Sequence, residues 1–116
     1  MARVLDTTVS ADGNTDISWK PARKETPNRA TVWVYGGGGN DFGSGTVTLQ
    51  GSPDGGTTFI DIPDQAGTAI TFTADGVTNF ELYGNADPVS SEVVQIRLAL
   101  AGSTSPTIRY IIDDVR

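Results

Sequence analysis

A chain of 116 residues suits one domain, and with 37% apolar residues it fills one thin core without metal or disulfide staples. Neither cysteine nor histidine occurs, which excludes disulfides, thiolate metal sites, Cys-His or Ser-His-Asp catalysis and the commonest transition-metal ligand. Eight basic against fourteen acidic residues leave a net charge of −6, which phosphate repels, so nucleic acid is not the expected partner.

Met1 to Ser10 carries Arg3 and Asp6, has no apolar h-region and lacks a strong pattern. No signal peptide is expected there, and the segment reads as one that orders on contact with a partner. No apolar run approaches the ~20 residues of a membrane span, so no membrane partner is expected. Thr15 to Trp19 is a short candidate strand. Lys20 to Arg29 is a long polar connection with four basic residues and one glutamate. Extended, a ten-residue segment reaches ~33 Å. Segments 1–10 and 20–29 are therefore the expected partner-contacting extensions of a single domain spanning 1–116, with Arg23, Lys24 and Arg29 steering an acidic surface.

Ala30 to Tyr35 alternates, with Val32 and Val34 on one face and Trp33 and Tyr35 on the other. An aromatic face of this kind suits an interface or a sugar platform. The glycine-rich stretch 36–45 is followed by a strand pattern and holds no lysine, so it is not a phosphate cradle. It reads as a hairpin loop that offers Phe42 at its tip to a partner.

Four further runs repeat the period of two. They are Thr46–Gln50 with Val47 and Leu49 inward, Phe59–Ile62 with Ile60 and Ile62 together, Ala69–Thr73 with Ile70 and Phe72 inward, and Asn79–Tyr83 with Phe80 and Leu82 inward. Val93 to Ala101 is the clearest strand, with Val94, Ile96, Leu98 and Leu100 on one side. Thr107 to Val115 sets Ile108, Tyr110 and Ile112 opposite Arg109, Ile111 and Asp113. Ser52-Pro53-Asp54-Gly55-Gly56 is a turn, with proline presetting φ and a glycine free to take positive φ, and it joins 47–50 to 59–62 as a hairpin.

About eight strands at roughly ten-residue spacing, each with one wet face, predict an all-β antiparallel β-sandwich or barrel. Asp61 with Asp64 and Asp113 with Asp114 lack the alternating spacing of a calcium loop, and they read as solvated carboxylates near strand ends. Paired carboxylates of glycosidase type are too easily found in a chain with three glutamates and eleven aspartates to carry weight. No catalytic residue, metal or cofactor is expected.

The stretch Gly45 to Phe59, read as V-x-L-x-x-SPDGG-T, resembles small structural proteins of tailed bacteriophage particles. Thr73-Ala74-Asp75-Gly76 with Phe80-Glu81-Leu82, and Val94 to Arg97 with Leu98-Ala99-Leu100, match that family's later pieces, so the likeness covers about residues 30 to 112. The segment Lys20 to Arg29 departs from the pattern. The resemblance implies a jelly-roll-like sandwich and a role as a capsid decoration (cement) protein, made in the host cytoplasm and placed on the virion surface. It implies the major capsid protein or another virion protein as partner, and dimers or trimers of the chain itself. Trp33, Tyr35 and Phe42 are the expected apolar contacts. A neck, tail or fibre component, or a carbohydrate-binding or adhesin module with a surface glycan as ligand, is the alternative.

Overall fold

The computed structural model describes residues 2–17, 28–36, 41–52, 56–64, 66–82 and 95–115. Nine strands occur among them: β1 (Ala2–Val9), β2 (Gly13–Ile17), β3 (Asn28–Tyr35), β4 (Thr46–Ser52), β5 (Ile60–Asp61), β6 (Thr71–Phe72), β7 (Gly76–Leu82), β8 (Gln95–Ala101) and β9 (Ile108–Val115). They form two antiparallel sheets. Sheet A runs β1-β9-β3-β7, and sheet B runs β2-β8-β4-β5 with β6 also on β4.

The pairings are nested. β4 pairs with β5 and β6, β3 with β7, β2 with β8 and β1 with β9. The chain is thus one long hairpin rolled up on itself, and the seams β3·β9 and β4·β8 close the roll. This order is that of a jelly roll, an arrangement that leaves few open edges.

Alternation explains the two layers. Ala30, Val32 and Val34 of β3, Ile108, Tyr110 and Ile112 of β9, Val47 and Leu49 of β4, and Ile96, Leu98 and Leu100 of β8 are all buried between the sheets. Ile70, Phe72 and Phe80 join them as expected. Each fully buried aliphatic side chain contributes about 1.5–3 kcal/mol.

The turn predicted at Ser52–Gly56 does close a hairpin: Gln50 pairs with Asp61 and Gly51 with Ile60. Gly56 has φ of 101° and donates its N–H to Ser52 Oγ at 2.8 Å. Residues 53–55 lie outside the described ones.

Four expectations need correction. Asp113 and Asp114 are not solvated carboxylates: both are buried on β9, and Asp113 is paired with Arg3 at 2.9 Å. The segment 1–10 is not patternless: Ala2–Val9 is an edge strand of sheet A. Its pairing with β9 shifts register between Arg3 and Leu5, so Val4 and Leu5 both pack on the core and the simple alternation is lost. Ile60 and Ile62 do not share a face. Ile60 is 59% exposed beside Gly51, whereas Ile62 leaves the two-residue ladder, donates its N–H to Leu49 O at 3.0 Å and is buried.

Phe42 is not an exposed tip. Gly45 N–H bonds Phe42 O at 2.8 Å, Thr104 N–H bonds Gly43 O at 2.9 Å and Thr107 N–H bonds Asp41 O at 2.7 Å. These bonds fold the turn against the β8–β9 connection and drive Phe42 into the core, where it is 5% exposed.

Candidate functional site

The outer face of sheet A differs from that of sheet B. On sheet B, Arg97 Nε donates to Gln50 Oε1 at 2.9 Å and Gln50 Nε2 to Asp61 Oδ1 at 3.0 Å. Arg97 also stacks 3.7 Å above the Phe59 ring. Threonines 46 and 48 complete a wet surface.

On sheet A the outward phase of β3 presents Thr31, Trp33 and Tyr35 between β9 and β7. Trp33 stands in register with Ile111 on one side and Val77 on the other. Ile111 is covered, while Trp33 is 44% and Val77 49% exposed. Trp33, Val77 and Ile60 are the large exposed apolar side chains among the described residues, so two of the three sit side by side on this face.

Polar pairs frame the stripe. Asp6 takes both Nε and Nη2 of Arg109 at 2.8 Å. Arg3 Nε bonds Asp113 Oδ1 at 2.9 Å and Arg3 Nη1 lies 3.7 Å from Asp6. Tyr35 stands in register with Arg109 on the neighbouring strand. The Arg109 guanidinium holds the Asp6 carboxyl below the ordinary aspartate range. Across the sheet, Arg29 Nε pairs with Glu81 Oε1 at 2.7 Å, and Thr31 Oγ1 donates to Asn79 Oδ1 at 2.7 Å. Asp75 Oδ1 accepts the Gly36 N–H at 2.9 Å. Three arginines against four carboxylates (Asp6, Asp75, Asp113, Glu81) leave this face nearly neutral, although the whole chain carries −6.

Between these rims lies an open depression of about 540 Å³ lined by Trp33, Tyr35, Val77, Ile111, Arg3, Asp75 and Asp113 among others. An apolar centre inside a polar rim is the anatomy of a protein-binding patch. Among the described residues no group of three acidic side chains is placed to hold a metal ion.

Of the residues singled out by sequence, Trp33, Tyr35 and Arg29 share this face, and Phe42 is withdrawn to the core. Arg23 and Lys24, with the rest of 18–27, lie outside the described residues. Val77 and Ile111 complete the patch and were not singled out. Ile111 had a readable signal, an isoleucine in the outward phase between Arg109 and Asp113. Val77 had none, because only the β3–β7 register puts it beside Trp33.

No protein-family model, no curated protein and no solved structure matches the chain.

Proposed function

We propose that the chain is a non-enzymatic structural protein of a tailed-phage virion, a capsid decoration protein that adds to the assembled shell of major capsid protein and stabilises it. The observation that carries this reading is the exposed Trp33–Val77 stripe over Ile111, which is built for burial against protein. The jelly-roll order and the Gly45–Phe59 hairpin, with its likeness to phage structural proteins, support it. So does a chain without cysteine or histidine, which lacks the usual nucleophile and general base. Fold alone does not decide function, since jelly rolls also occur in lectins.

A second reading, a glycan-binding or adhesin module, draws on one feature: the depression puts Trp33 and Tyr35 beside Asp75, Asp113 and Arg3, an aromatic floor with polar groups at its edge. Co-sedimentation with empty capsid shells separates the two. Decoration predicts saturable co-pelleting at hundreds of copies per particle. Six to twelve copies would move the chain to the neck or tail. No co-pelleting, with glycan binding that is lost in Trp33→Ala, would replace the decoration reading by the second.

A further inference from the structure

We infer that the outer face of sheet A is where two copies of this chain meet, so that the protein acts as a face-to-face dimer. The inference rests on reading that face as a protein contact and names its occupant.

Charge is the first reason. Copies of a chain carrying −6 repel one another in general. On this face the repulsion is cancelled locally, because Arg3, Arg29 and Arg109 are each held by a carboxylate of the same face. A strongly basic or acidic partner finds few unpaired charges to grip there. A second, equally self-neutralised face meets it without desolvating a lone ion, which would be costly.

Size is the second reason. Four strands at ~4.8 Å spacing and eight residues at ~3.3 Å give about 500 Å² in projection. A surface studded with Trp33, Tyr35, Val77 and Arg29 has more accessible area than its projection. That brings it near the ~800 Å² per partner of a standard interface.

Shape is the third. Trp33 stands near the middle of the face, with Val77 and the open depression beside it. Two sheets packed face to face at ~10 Å interdigitate such side chains, and an isologous contact lets the Trp33 of each copy fill the depression of the other.

Sedimentation equilibrium of the purified full chain, over a thousandfold range of concentration and without shells, tests this. The expected result is a rise from 12.2 kDa to twice that mass. Trp33→Arg and Val77→Arg should each weaken association by ~30-fold or more, as at a central hot spot. Ile60→Arg, the same change at the exposed isoleucine of sheet B, should leave it unchanged. A wild-type chain that stays monomeric, association that survives both Trp33→Arg and Val77→Arg, or association equally lost in Ile60→Arg would overturn the inference. A monomer that still binds shells through Trp33 would give the face to the shell and keep the decoration reading. A dimer that ignores shells would do the reverse.

Discussion

Tyr110 sits on the inner face of β9, fully buried, and its hydroxyl has no hydrogen-bond partner among the described residues. An unpaired buried hydroxyl costs about 1–3 kcal/mol, and removing it costs little packing. Tyr110→Phe is therefore expected to be neutral or to raise stability by about 1 kcal/mol in urea unfolding. Burial also pushes this phenol up to about 12. The folded chain thus holds the proton that the unfolded chain releases from about pH 10 upward. Stability is untouched below that value and falls as pH rises toward 12, and Tyr110→Phe should flatten this alkaline loss.

Asp6 has the opposite sign. Its carboxyl is held low, first by the Arg109 hydrogen bonds, so the folded chain binds fewer protons than the unfolded one. Its contribution is present above the ordinary aspartate value of about 3.9 and is lost as pH falls below it. Asp12, held low by Ser103 near the start of β2, adds in the same direction. Urea midpoints taken across the acid range should drop below about pH 4, and less steeply in Asp6→Asn.

At the scale of elements, the turn 41–45 shows how tertiary contacts override a local reading. Gly43 has φ of 56°, and a Cβ there would run into the Thr104 backbone. Gly43→Ala should cost at least about 2 kcal/mol, since it combines left-handed strain with a backbone clash. Thermal melting would check this, and an unchanged midpoint would show that the turn does not dock as described.

The same scale explains what the sequence disclosed. β3, β4, β8 and β9 were legible because their ladders are regular and the inward side chains Val32, Leu49, Leu98 and Tyr110 keep a strict phase, although β9 also covers Ile111 and Asp113 on its outer face. β1 was not, because its register shift breaks the phase. Phe42 and Ile60 were misjudged because one is placed by hydrogen bonds to a distant loop and the other by a ladder only two residues long. Of the candidate site, the outward pair Trp33 and Tyr35 could be read from alternation alone. Their neighbours Val77 and Ile111 required a register set by strands far apart in sequence.

For the whole molecule, rolling one long hairpin into two sheets leaves two outer faces of different character. Sheet B faces water with threonines and an Arg97–Gln50–Asp61 chain of hydrogen bonds. Sheet A offers a neutral, apolar-centred patch. The division of labour between them is the central claim, and it holds whichever protein covers the patch. Hydroxyl-radical footprinting of the chain, free and dilute and then in the assembled particle, tests it most directly. Trp33 and Val77 should lose reactivity on assembly while Ile60 and Phe59 keep theirs. Trp33 as reactive in the particle as in the dilute chain, with protection confined to sheet B, would contradict it.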